Sequence, residues 1–348
     1  MNEPTNINSN FNDNNHDILR VLTREGVLIN ISVRYWRAAK RLKPEDLGLD
    51  PDDISERLVN LGQKRLLPKE AIAPLSLIEG RVHALVEAST FPFLGGIGHF
   101  LPNTKLAEVR DRLEELRGEF NSACASFLDD YGEHRVEAIE EWRALATRLS
   151  DQPERLVTAI RESFPPGEKV ARKFAFEVHL FQVAIPDQIS TELVTFGEQA
   201  EVLNARRQAA RQAQEQIREG VESFVGECVT TLREQTAQLC EEMLSSMRSG
   251  KTDGVHQKTL NRLGRFIEEF KQLNFANDTE MEARLETVRR ELLTTSAEDY
   301  RQSPRATRNL QEGLAQLRDH ARELAQQDAR ELVERFGQMG RRKLQMVS

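Results

Sequence analysis

Aromatic side chains are scarce. Phe, Trp and Tyr make up 6% of the 348 residues, and only two are tryptophan. Charged residues reach 30% and hydrophobic ones 39%. That balance argues against a compact α/β enzyme and for long amphipathic helices. Cysteine is rarer still. Cys124, Cys228 and Cys240 are odd in number, form no CxxC pair and sit in helical patterns. A disulfide scaffold is therefore not expected, and reduced thiols in a cytoplasmic protein are. No run reaches the roughly 18 apolar residues of a membrane-spanning helix. The start, "MNEPTNINSNFNDNNHD", has no basic region leading into an apolar core. No signal peptide is expected, and residues 1–17 read as a disordered Asn-rich tail. A basic excess is also missing. The net charge of −8 disfavours nonspecific nucleic-acid binding by the whole chain, although a local basic patch is not excluded.

Period-two alternation marks two strands. In "GVLINISVRYW", Val27, Ile29, Ile31, Val33 and Tyr35 share one face; in "KFAFEVHLFQVAIP", Phe174, Phe176, Val178 and Leu180 do. Because a lone strand leaves its backbone groups open, residues 26–35 and 173–184 are expected to pair in a small two-stranded antiparallel sheet. The rest reads as helix. Pro51-Asp52-Asp53 opens a short helix to about residue 64, and Pro68 starts another that runs to about Ser89. A long helix follows from 103 to 149. Its apolar positions Leu106, Val109, Leu113, Leu116, Phe120, Cys124, Phe127 and Tyr131 repeat every three or four residues, a coiled-coil-like stripe. Val136, Ile139, Trp142, Leu145 and Leu149 carry it past Gly132. A shorter helix covers about 151–163. The chain from Pro186 to Gly250 reads as helical, then 255–273, then 280–294 with a capping box of Thr279 and Glu282. A last helix, after Pro304, buries Leu310, Leu314, Leu317, Ala321 and Leu324 and runs to about Phe336. The expected fold class is mainly α: long antiparallel coiled-coil-like helices on a base with a small two-stranded sheet. The expected domains are an α+β base over 18–185 and a helical coiled-coil region over 186–348.

The chemistry is thin. "RSGKTDG" resembles the end of a phosphate loop, but Ser245 stands where the first glycine belongs and a helix precedes it. Gly95, Gly96 and Gly98 have the wrong spacing for a dinucleotide fingerprint. No histidine forms an HxxxH or HxxE pair, and the paired glutamates are those of any solvated helix face. No catalytic, cofactor-binding or metal-ligating set is therefore expected, and the protein reads as a non-enzyme without a cofactor. Two candidate interaction features remain. The first is "FPFLGGIGHF", with Phe91, Phe93, Leu94, Gly95, Gly96, Ile97, His99 and Phe100. It is a bend whose rings fold back on the domain, the favoured reading, or an exposed apolar tip that docks on a partner or a membrane, or, least favoured, a loop that presents His99 as a catalytic base. The second is a basic patch of Arg206, Arg207 and Arg211, better read as a solvated helix face than as a nucleic-acid contact.

Three stretches carry a resemblance. They are "GVLINISVRYWRAAKRLKPEDLGL", the Gly-rich aromatic loop leading into "LPNTKLAEVRDRLEELRGEFNSACASFLDDY", and "KFAFEVHLFQVAIP". In pattern and order, over roughly residues 20–300, they are similar to an uncharacterised bacterial family, domain-of-unknown-function family thirty-one fifty. That resemblance implies no activity and no functional residues. It implies genes on chromosomes, phages and mobile elements, sometimes beside MoxR-type AAA+ ATPases and von Willebrand A-domain proteins. The expectation is an adaptor or scaffold acting through helical protein–protein contacts, in a mobile element or in phage defence. Protein partners are expected, and apolar seams are compatible with a homo-oligomer. A membrane-active helical protein using residues 91–100, or a nucleic-acid-associated coiled-coil protein, are the alternatives, and no motif supports either partner class.

Overall fold

The computed structural model describes residues 18, 21–47, 61–149, 152–182, 200–248, 255–327, 331–333 and 335–336. After a helical segment at 21–25, the elements run β1 (Gly26–Arg34), β2 (Ala39–Arg41), β3 (Gln63–Arg65), α1 (Lys69–Ser89), β4 (Phe91–Phe93), β5 (Gly98–Pro102) and α2 (Asn103–Leu149). They continue with α3 (Pro153–Ser163), α4 (Gly167–Ala171), β6 (Ala175–Phe181), α5 (Ala200–Arg248), α6 (Gln257–Leu273), α7 (Thr279–Leu292), α8 (Ala297–Gln302) and α9 (Pro304–Gln326). The protein is mainly α, with a two-stranded antiparallel sheet, β2–β3, and a four-stranded sheet in the order β4-β5-β1-β6.

The two strands that the alternation predicts, β1 and β6, are neighbours in that sheet. Two further strands extend it. Residues 91–102 form a hairpin, in which Phe91 lies opposite Phe100, and β5 pairs with β1 from Gly26↔Pro102 to Ile29↔His99. Pro92 and three glycines disguise these strands in the sequence. Pro92 is tolerated because β4 is an edge. The glycines do different work: Gly95 and Gly96 turn the chain at φ +65° and +96°, where a side chain is strained. Two other expectations are corrected. Residues 63–65 are β3 rather than the end of a helix, whose remaining part (51–60) lies outside the described residues. The cap of α7 is Asp278, whose side chain accepts from Met281 N, rather than Thr279. The long helix runs past Gly132 as expected, and α2 is continuous over 47 residues.

The chain divides into two compact units. Unit 1 holds the residues up to Ile29, Ser89–Leu106 and Leu180 onward; unit 2 holds Asn30–Ala88 and Ala107–His179. The division is spatial rather than a single cut near 185. The reason lies in where the hairpin phenylalanines find an apolar environment. In unit 1, Phe93 meets Phe224 of α5 edge to face at 4.9 Å, and Phe100 lies 4.7 Å from Phe275. Phe275 also meets Phe336 at 5.8 Å. Around these rings, α5 packs along α9, and α6 turns Leu260, Leu263, Ile267 and Phe270 inward. A buried ion pair sits in this unit: Arg233 Nε lies 2.7 Å from Asp278 Oδ2, and its guanidinium also donates to Leu324 O.

In unit 2 the core is organised by Trp36. Its ring meets Tyr131 at 5.6 Å and Phe127 and Phe164 at 6.3 Å, all at steep angles. The stripe along α2 is buried from Val109 to Tyr131. What it touches includes Phe174 beside Phe127 and Phe176 of β6 beside Phe120. Beyond Gly132 the buried face shifts. Ala138, Ile139 and Ala146 are inside, while Val136 is 62% exposed. An ideal helix drifts against a strict 3,4 spacing, so the predicted stripe leaves the core face after a few turns.

Candidate interaction site

The surface of unit 2 that stands out begins in a run without acids. Residues 34–43 contain five basic side chains and no Asp or Glu, and residues 63–69 contain three and none. The fold brings these runs together as the β2–β3 ribbon, with Lys40 opposite Lys64 and Ala39 opposite Arg65. Two like charges facing each other across a ladder repel. Here Lys64 is turned inward, 6% exposed, and its Nζ lies 2.6 Å from Asp46 Oδ2. That carboxylate also accepts from Lys43 N. Removing either partner leaves a buried charge uncompensated, so this pair fixes the ribbon in place. Trp142 Nε1 donates to Arg65 O at 3.0 Å and anchors the outer strand from α2.

Helix α1 supplies the adjoining wall. Leu75, Ile78, Val82 and Val86 form its buried face. A second apolar face points outward, with Ala73, Leu77 and Ala84 near Pro74, and Leu77 is 64% exposed. Pro74 lies inside the helix, so the carbonyl of Glu70 loses its usual helical donor. Ribbon and helix enclose an open groove of about 1280 Å³. Its floor is apolar, and Arg37, Arg65, Lys69 and Arg81 rim it, with Glu70 as the acidic member.

The rim cations differ in availability. Arg37 grips Glu79 through both terminal nitrogens, at 2.8 Å and 2.5 Å, and Tyr35 OH donates to the same carboxylate at 3.1 Å. Burial raises the Glu79 carboxyl, but the hydrogen bonds from Arg37 and Tyr35 and the Arg37 charge outweigh it, and its pKa falls below the ordinary range. Burial pushes the Tyr35 phenol up. Arg81 is matched by Glu119. Arg65 and Lys69, by contrast, make no ion pair among the described residues. The ribbon end of the groove therefore carries the uncompensated positive charge.

The residues singled out from the sequence lie elsewhere. Phe91, Phe93 and Phe100 are 5%, 1% and 2% exposed, so these rings belong to the core of unit 1. Leu94 packs on Gly220 of α5, where a Cβ would come within 2.7 Å of its Cδ2. His99 is half-buried with Nδ1 3.2 Å from Thr90 Oγ1, and among the described residues no carboxylate is bonded to it. Of the docking candidates at 91–100, Ile97 stays outside, 63% exposed at the hairpin turn beside Gly95 and Gly96. Arg206, Arg207 and Arg211 lie on α5, and their side chains are outside the described residues. Among the described residues, no cluster of His, Cys, Asp or Glu is placed to hold a metal ion. No helix among them is long and apolar enough to cross a membrane. Sequence reading passed over the groove. The signal was present in two forms: the acid-free basic runs, and Leu77 standing out of phase with Leu75, Ile78 and Val82.

Residues 23–319 match the family described as protein of unknown function (DUF3150), and the chain belongs to that family. No curated protein and no solved structure matches the chain.

Proposed function

We propose that this protein is a non-enzymatic adaptor that joins partners through its helical surfaces. What supports the reading is the groove of unit 2. An apolar face of α1, with Leu77 largely in solvent, lies beside a ribbon carrying uncompensated cations. Apolar surface of this kind, rimmed by charge, is where protein partners dock. The proposed partner is a MoxR-type AAA+ ATPase working with a von Willebrand A-domain protein in a bacterial mobile element or in phage defence. That choice rests on what the family resemblance implies about neighbouring genes.

The experiment is reconstitution. The full chain is mixed with a purified MoxR-type ATPase, with and without ATP, and the mass of the complex is read by light scattering after gel filtration. A defined complex, together with no turnover by the chain alone, is expected. Separate elution in both nucleotide states eliminates this ATPase as the partner. Turnover of a small molecule by the chain alone overturns the non-enzymatic reading.

A further inference from the structure

The adaptor reading leaves open what enters the groove, and the inference drawn here rests on that reading. We infer that the groove between α1 and the β2–β3 ribbon takes an amphipathic helix with an acidic face. Two independent features select that occupant. The first is shape and polarity. Ile72, Ala73, Pro74 and Leu77 line the floor, and Ala73, Leu77 and Ala84 are exposed along one side of α1. Small side chains at Ala73, Gly80 and Ala84 allow a second helix to approach closely, and Leu77 is then a knob for its apolar residues.

The second feature is charge. The chain as a whole carries −8, yet the two runs that build the ribbon contain eight basic residues and no acidic one. Arg65 and Lys69, which line the groove, have no counter-ion among the described residues. An incoming carboxylate face supplies it without displacing the Arg37–Glu79 or Arg81–Glu119 pairs, which hold the walls of the groove. Nucleic acid also brings negative charge, but phosphates gain nothing from an apolar floor. A duplex pays for its affinity with many phosphate contacts, whereas this end of the groove offers two cations without an ion pair among the described residues. A peptide helix uses both the floor and the cations.

The test uses the full chain and a fluorescein-labelled helical peptide of about 15 residues, long enough for appreciable helix in water. In the probe, Leu occupies one face and Glu the other. A second peptide carries Lys in place of every Glu, and a labelled DNA duplex serves as the third probe. Binding is followed by anisotropy at low and moderate salt. The Glu peptide is expected to bind and the Lys peptide not to. Leu77→Asp and the double variant Arg65→Glu/Lys69→Glu are each expected to weaken binding at least about tenfold. All the substituted positions are exposed, so circular dichroism of both variants is expected to match the parent.

Absence of Glu-peptide binding at low salt overturns the inference, and so does binding indifferent to Leu77→Asp. Duplex binding that is abolished by the charge reversal but untouched at Leu77 assigns the ribbon to nucleic acid instead. The adaptor reading fails separately. If the ATPase complex forms while the peptide does not bind, the groove assignment is wrong and the adaptor stands. If the peptide binds and no ATPase complex forms, the groove stands and the named partner is wrong.

Discussion

Replacing Phe93 by serine separates a core role from a docking role at the hairpin. Phe93 is 1% exposed and meets Phe224 edge to face with centroids 4.9 Å apart. Truncating a buried phenylalanine costs about 3–5 kcal/mol, because the surroundings relax only partly into the cavity. A serine hydroxyl left without a partner adds about 1–3 kcal/mol. Taken at the lower ends of these ranges the two come to about 4–5 kcal/mol, comparable to the whole stability of a modest domain. Ile97, four residues on, is 63% exposed, and Ile97→Ser is expected to change stability by less than about 0.5 kcal/mol. Urea unfolding followed by far-UV circular dichroism makes the comparison. With a slope near 3 kcal/mol/M, Phe93→Ser is expected to lower the midpoint by about 1.5 M while Ile97→Ser leaves it in place. Both tryptophans, Trp36 and Trp142, belong to unit 2, so their fluorescence gives a separate record of that unit. A Phe93→Ser midpoint within about 0.3 M of the parent refutes the core assignment.

Other substitutions probe other parts of the argument. Asp278→Ala is expected to cost about 3–5 kcal/mol, since Arg233 keeps its charge in a buried site without a partner. The double variant Arg233→Met/Asp278→Leu is expected to recover much of that loss, and a urea double-mutant cycle reads the coupling. Gly118→Ala and Gly132→Ala, inside α2 with no heavy atom within 4 Å of the added Cβ, are each expected to gain about 0.5–1 kcal/mol, and a fall in the thermal midpoint for either contradicts the continuous helix. Burial pushes the Cys124 thiol up to about 11 and that of Cys240 up to about 12, and it raises Cys228 as well. All three stay protonated at pH 8. Thiol reagents are expected to leave them unmodified in the native protein and to titrate three per chain in urea; fast native labelling shows that the site opens.

How much of this was readable beforehand depended on whether one local rule governed the segment. β1, β6, α1 and α6 carry clean periods and appear where the pattern places them, within one or two residues at most ends, whereas α9 starts at Pro304 as expected but ends at Gln326, short of the expected Phe336. The hairpin was hidden because two rules compete there. Phe91 and Phe93 alternate like a strand, but Pro92 and the glycines point to a loop. An edge position and a turn with positive φ reconcile them, and both depend on neighbours far along the chain. The groove was hidden for another reason. Each basic run alone looks like solvated surface, and the local sequence does not say that Ala39 faces Arg65. Leu77 was absorbed into the ordinary reading of an amphipathic helix, although it lies on the wrong side of the buried stripe.

The hairpin also has a consequence for how the polypeptide is made. Phe100 leaves the ribosome about 175 residues ahead of Phe275, the ring it rests on. At ordinary synthesis rates that interval is on the order of ten seconds or more, during which three greasy rings have nowhere native to go. A nascent chain in that condition is a client for holdase chaperones. Fragments ending before α5 are expected to aggregate when expressed alone, however well their first two hundred residues read as a self-sufficient piece.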